Sequence, residues 1–283
     1  MNAEKYRDYP DFTRFYEGIR KCFKVPYLIF NNSRIYYESY GKGEPLLYIH
    51  GWNGSIDSFK FNLLNDLKNE YQIILLDLPG CGRSDNIELS YINLCELIDK
   101  LVEELQIGKF NLMGFCMGAT IALDYVIRNQ DKVKKLILVD TYIKFPLILK
   151  PLLVNTLNSY IFRFFLDTKL GMCLTKRYLF LKNYKYRDGF FQGFQKSDTK
   201  TSLEYVRLLN EYSKIDHYNR MKEVRTNVII IVGDLTSSTI IKTAKKINRN
   251  IENSKLIFLN DSGHFPIEEN GTDLTKLLKH ILV

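Results

Sequence analysis

The 283-residue sequence predicts an α/β protein in which a mostly parallel central sheet is flanked by helices. Two observations carry this expectation. Short apolar runs alternate along the chain with longer segments of helical period, and several of the runs are apolar throughout, as strands buried on both faces require. The composition, 46% hydrophobic and 25% charged, is that of a globular chain, and the length suits one large core with an insertion.

In chain order the strand candidates are RIYYESYG, PLLYIHG, YQIILLDLPG, KFNLMGF, VKKLILVD, NVIIIVGD and SKLIFLND. Gly43 and Pro45, just before the second of these, are turn chemistry. Between the runs, SYINLCELIDKLVEELQI, MGATIALDYVIRNQ and STIIKTAKKINRN repeat apolar residues three and four apart and read as helices packed back on the sheet. From Thr141 to Arg220 the alternation breaks. We therefore expect a core formed by residues 1–140 and 221–283, with residues 141–220 as a helical cap. The role of residues 1–27 stays open between a helix completing the cap and a partner-binding arm.

The amino terminus, MNAEKYRDYPDF, mixes acids and bases and lacks an apolar leader core, and no apolar run is long enough to span a bilayer. Cys22, Cys81, Cys95, Cys116 and Cys173 are odd in number, widely spaced and free of any CxxC pair or nearby histidine cluster. These features predict a soluble protein of the reducing cytoplasm, with no metal and no cofactor.

NLMGFCMGAT (111–120) starts as a strand and ends as a helix, with Cys116 on the turn between Gly114 and Gly118. Glycines there remove neighbouring bulk, so that the side chain between them stands clear of the sheet top. Around this G-x-C-x-G elbow the chain carries HGWNGS (50–55), DLPGCGRSD (77–85) and, after the last strand, SGHFPIEE (262–269). In this order, and over nearly the whole length, the sequence resembles the α/β-hydrolase fold superfamily. The resemblance implies that Cys116 is a nucleophile, its thiolate favoured by the helix N-terminus or by an imidazole. It further implies that His264 is the general base, and that the oxyanion donors are the backbone N–H groups of Met117 and Trp52. The Trp52 side chain is also a candidate pocket wall.

The third member departs from the pattern. The position at which the resemblance expects an acid is Thr236, which cannot orient an imidazolium by charge. Asp234 lies two residues away, and Asp140 ends the preceding strand, where the haloalkane-dehalogenase branch carries its acid. A third alternative is that a Cys–His pair works with no acid at all.

Cysteine at the elbow points to chemistry. An acyl-cysteine is itself a thioester, close in energy to a thioester donor, so it can pass its acyl group to several nucleophiles besides water. GFCMGAT is also locally similar to the lipase-like box of polyhydroxyalkanoate synthases, which implies acyl transfer from coenzyme A thioesters; the cysteine-bearing dienelactone hydrolases imply hydrolysis instead. Residues 141–220 hold 14 Lys and Arg against 6 Asp and Glu, a balance equal to the +8 of the entire chain, and 16 of its 38 aromatic residues. An aromatic lining with a cationic rim suits a lipophilic acyl group presented on coenzyme A or on an acidic acyl carrier protein. An AT-rich codon bias and solvated cap lysines account for the same composition, and contact with an anionic membrane surface is a third reading. No nucleic-acid recognition module is visible.

His50, Asp77 and Asp85 read as structural, and His217 and His280 as surface residues. Two classes of function follow. The first is a cysteine-dependent acyl hydrolase or acyltransferase, thioesterase-like, with an ester or lactone hydrolase lacking transfer as its variant. The second is a non-catalytic homologue that binds a ligand or partner, with Cys116 a small buried hydrophobe.

Overall fold

The computed structural model describes residues 26–282 apart from 146, 155–156, 172 and 175–196. Residues 1–25, including Cys22, and the aromatic and basic stretch of 175–196 therefore lie outside the described residues.

In chain order the strands are β1 (Tyr27–Phe30), β2 (Ser33–Tyr40), β3 (Glu44–Ile49), β4 (Tyr71–Leu76), β5 (Phe110–Phe115), β6 (Val133–Val139), β7 (Asn227–Gly233) and β8 (Ser254–Leu259). The helices are α1 (Asp57–Asn62), α2 (Leu64–Leu67), α3 (Tyr91–Glu104), α4 (Met117–Asn129), α5 (Asn158–Asp167), α6 (Thr199–Ser213), α7 (His217–Met221), α8 (Ser238–Asn250), α9 (Pro266–Glu269) and α10 (Gly271–Leu282). The strands form one sheet in the order β1-β2-β4-β3-β5-β6-β7-β8. β1, β2 and β4 pair antiparallel, and every pairing from β4 through β8 is parallel.

The seven expected strands are all present, and the doubly covered sheet explains their apolar runs. Along β3, Leu47 and Ile49 pack into the layer built by α3, α4 and α8, whereas Leu46 and Tyr48 pack into the layer of α1, α2 and α10. All four are fully buried. Alternation thus selects between two cores, and each such side chain is worth about 1.5–3 kcal/mol of burial. The helices start where side chains supply caps: Ser90 accepts from the Asn93 N–H, Ser237 from that of Ile240 and Asp198 from that of Thr201.

β1 was not among the expected strands. Its signal is the pair Asn31 and Asn32, at φ 48° and 60°, which closes a two-residue hairpin onto β2; asparagine tolerates the left-handed backbone that such turns require. Between β6 and β7 the chain leaves the sheet for a 3-10 turn at Leu147–Leu153 and for α5, α6 and α7. His217 corrects one expectation. It is 1% exposed, its ring stacks on Tyr212 at 3.5 Å and its Nε2 bonds to the Tyr212 carbonyl, so it belongs to the core rather than the surface. No helix among the described residues is long and apolar enough to cross a membrane.

Candidate active site

The expected elbow forms between β5 and α4. Cys116 sits at φ 53°, ψ −115°, a conformation that costs energy for any residue with a Cβ and is held by its surroundings. Its N–H donates to the Val139 carbonyl at 2.9 Å. A Cβ on Gly114 would lie 2.4 Å from the Gly118 carbonyl oxygen, and one on Gly118 would lie 2.2 Å from that of Ile49. Both glycines are therefore dictated by packing: strand, turn and helix approach too closely for any side chain.

β6 ends beside the elbow at Asp140, also left-handed, at φ 46°. Asp140 is fully buried, and its carboxylate is fully engaged. Oδ1 accepts from the Gly233 N–H at 3.0 Å; Oδ2 accepts from Thr236 Oγ1 at 2.9 Å and lies 3.1 Å from His264 Nδ1. Thr236, at the position where the resemblance expects an acid, thus supports a carboxylate that arrives from the neighbouring strand. Asp234 does not meet His264. Its side chain is turned to the Ser262 N–H at 3.1 Å, and the residue is exposed.

His264 lies in the loop after β8, 8% exposed, among the rings of Phe115, Tyr142 and Phe265. Burial alone would push its imidazole down. The neighbouring Cys116 and the hydrogen bond to Asp140 outweigh that and raise it to about 10. Glu269 accepts from the backbone N–H of Gly263 at 2.6 Å and of Phe265 at 3.0 Å, clamping the loop on both sides of His264. Sequence reasoning gave Glu269 no role; its signal is the acid five residues beyond the histidine in GHFPIEE.

The proposed oxyanion residues flank the thiol. Met117 opens α4, where the first backbone N–H groups have no partner within the helix. Trp52 follows Gly51, whose α-carbon lies so near the elbow that an added Cβ would be 3.1 Å from the Cys116 Cβ. The Trp52 ring meets Phe162 of α5 edge-on at 5.9 Å, and its Nε1 donates to the Ser202 carbonyl at 2.9 Å.

His50 fixes the base of that loop. The Leu78 N–H donates to Nε2 at 3.0 Å, which puts the ring proton on Nδ1, 2.8 Å from the Gly51 carbonyl oxygen. Burial lowers its imidazole to about 4, the Gly51 bond offsetting only part. NMR of the ring nitrogens is expected to find the Nδ1–H tautomer with no titration between pH 8 and 5. Because the unfolded imidazole protonates at 6.5, the unfolded chain takes up this proton first as pH falls. The residue then costs stability progressively from pH 6.5 towards 4, by about 1.4 kcal/mol per pH unit at most, and nothing above that window. A ring that titrated near 6.5 would contradict the hydrogen-bond assignment. Asp77 and Asp85 likewise hold loops, the first accepting from the N–H groups of Ile56 and Arg83, the second pairing with Arg34 at 2.9 Å.

Cys81 and Cys95 are buried, and burial pushes both thiols up, that of Cys95 to about 12. Cys173 is exposed. Among the described residues no group of three His, Cys, Asp or Glu side chains could hold a metal ion.

Comparison with known proteins agrees with this architecture. A family model described as alpha/beta hydrolase fold matches residues 44–271. A pimeloyl-[acyl-carrier protein] methyl ester esterase of Legionella pneumophila (strain Corby) is 26% identical over 85% of this chain and 95% of its own. A hydrolase of Bacillus subtilis is 25% identical over 83% of this chain and 89% of its own. Among solved structures, an esterase from Thermogutta terrifontis superposes with a TM-score of 0.77 at 19% identity over 91% of this chain and 96% of its own. A carboxylesterase structure from Nitrososphaera gargenis gives 0.76 at 22% identity, covering 91% and 97%. With the family model spanning most of the sheet, the elbow and the histidine loop, the chain belongs to the α/β-hydrolase fold family.

Proposed function

We propose that the protein is a cysteine-dependent acyl hydrolase or acyltransferase, forming an acyl-cysteine on Cys116 from a lipophilic thioester or ester. One observation carries this reading: His264, buried in the loop after β8, hydrogen-bonds Asp140 through Nδ1 at 3.1 Å and has Cys116 among the neighbours that raise its imidazole. The Cys116 thiolate attacks the acyl carbon, and the oxyanion that develops is stabilised by the N–H groups of Met117 and Trp52. The His264 imidazolium gives its proton to the departing thiolate or alkoxide. His264, now neutral, takes a proton from water or another acceptor, which attacks the acyl-cysteine and expels Cys116 as thiolate, so that the starting proton count is restored. Asp140 holds the ring tautomer and balances its charge.

The acyl-carrier-linked substrate named for the Legionella relative supports a carrier-bound or coenzyme A-bound acyl group, and the positive balance of residues 141–220 is complementary to either. The esterase relatives favour a second reading, hydrolysis of simple esters without transfer. The expected result separating them comes from intact-mass spectrometry after brief incubation with acyl thioesters of graded chain length. An adduct on wild type that is absent from Cys116→Ala identifies the acyl class by its mass. No adduct and no thioester consumption would leave the ester or lactone hydrolase if simple esters are cleaved, and a ligand-binding homologue if they are not.

A further inference from the structure

The loop that carries Trp52 is tied to the cap by more than its own turn requires. Asn53 Oδ1 accepts from Ser197 Oγ at 2.7 Å, from Ser202 Oγ at 3.2 Å and from the Ser197 N–H at 3.4 Å. The two serine oxygens lie 2.6 Å apart, and Trp52 Nε1 reaches the carbonyl of the same Ser202. Asn53 and Ser202 are buried, and Asn53 holds a left-handed backbone at φ 55°. The cap side is itself anchored: Thr201 Oγ1 donates to Asn86 Oδ1 at 2.9 Å, Tyr205 donates to the Pro79 carbonyl at 3.0 Å, and Ser197 pairs with Cys81.

Because the two serine hydroxyls also bond each other, only one of them donates to Oδ1 at a time, and Asn53 Nδ2 is buried with no partner among the described residues. A half-satisfied buried amide is a poor stabiliser, because the unpaired donor gives back what the bonds gain. Such a group is better explained by what it positions. It sits next to the residue whose N–H is the proposed oxyanion donor, two residues from the glycine packed against Cys116. His50 holds the Gly51 carbonyl from the core side, so the loop is gripped from below by the sheet and from above by the cap.

We propose that Asn53, Ser197 and Ser202 are positioning residues that form a latch, through which a seated cap sets the Trp52 N–H at the oxyanion position. The proposal rests on reading Cys116 as the acylated nucleophile. It separates two reactions of one thiol. Acylation passes through an oxyanion and needs the latch; alkylation by iodoacetamide builds no oxyanion and does not. Loss of one oxyanion donor costs about 10²–10³ in rate, and a donor displaced rather than deleted should lose about tenfold to a hundredfold.

The test compares wild type, Ser197→Ala/Ser202→Ala and Asn53→Gly, with Cys116→Ala as blank, by following mass adducts from p-nitrophenyl acetate and, separately, iodoacetamide. Glycine keeps the left-handed backbone while removing the accepting oxygen, so it remains informative should the serine pair fold poorly. Both variants are expected to acylate about tenfold to a hundredfold more slowly than wild type, with alkylation within twofold of it. Unchanged acylation overturns the latch. An equal fall in both reactions also overturns it, because the site would then have loosened as a whole. A wild-type Cys116 that alkylates but is acylated by neither this ester nor the thioester panel removes the functional reading, and the latch with it.

Discussion

Cys116→Ala is expected to abolish acyl-enzyme formation and lower turnover by about 10⁴-fold or more, with the folded structure retained. The two halves of that result have separate causes. Cys116 is held by backbone geometry set by Gly114, Gly118 and the Val139 carbonyl, none of which involves the sulfur, and alanine suffers no greater backbone strain there than cysteine. Chemistry, by contrast, has no other thiol beside a buried histidine–aspartate pair among the described residues. Cys81 and Cys95 are buried with their thiols pushed up, and exposed Cys173 serves as an internal control for ordinary reactivity. A thiol electrophile should therefore label Cys116 faster than any other cysteine. Cys116→Ser keeps a nucleophile but exchanges the thioester intermediate for an ester, so it should lose transfer to added nucleophiles more than it loses hydrolysis, measured as the ratio of transfer product to free acid. An unchanged ratio would contradict the chemical reason given for cysteine at the elbow.

Periodicity made the sheet legible, because strands buried on both faces have a single sequence signature and helices packed on them have another. The elbow was legible from the spacing of its glycines, Gly114 answering a contact with Gly118 inside the turn and Gly118 one with Ile49 of β3. What sequence spacing did not report is lateral proximity. Asp140 and Thr236 are 96 residues apart, yet they meet because β6 and β7 are adjacent and the Asp140 N–H bonds to the Ile231 carbonyl. Closeness to the usual acid position recommended Asp234, and a place at the end of the preceding strand recommended Asp140; strand order puts the second carboxylate on the imidazole and turns the first to the Ser262 N–H. The ties from Asn53 to Ser197 and Ser202, across 144 and 149 residues, carry no local signature at all. His217 was misread from its polar neighbours; its burial comes from stacking on Tyr212.

Asp140→Asn is the substitution that decides what the carboxylate contributes. Asparagine keeps the shape, and its amide oxygen can still accept from the Gly233 N–H, so folding should be little affected. The imidazole loses two of the influences that raise it, the Asp140 hydrogen bond and the Asp140 charge, and keeps those of Cys116. Both losses act in one direction: the His264 imidazolium gives up its proton at lower pH. Acyl transfer needs that proton for the leaving group, so its rate should fall on the order of 10²-fold at neutral pH, less than in a serine enzyme because a thiol gives up its proton more readily than a hydroxyl. Its basic limb should move to lower pH. Alkylation, which needs only thiolate, should not lose its basic side. Asp234→Asn is the matched control: that side chain is exposed and bonded to a loop N–H, so activity within about threefold of wild type is expected. A small loss in Asp140→Asn with an unmoved basic limb would mean that the Cys–His pair works without an acid. A large loss in Asp234→Asn alone would return the third role to the other aspartate.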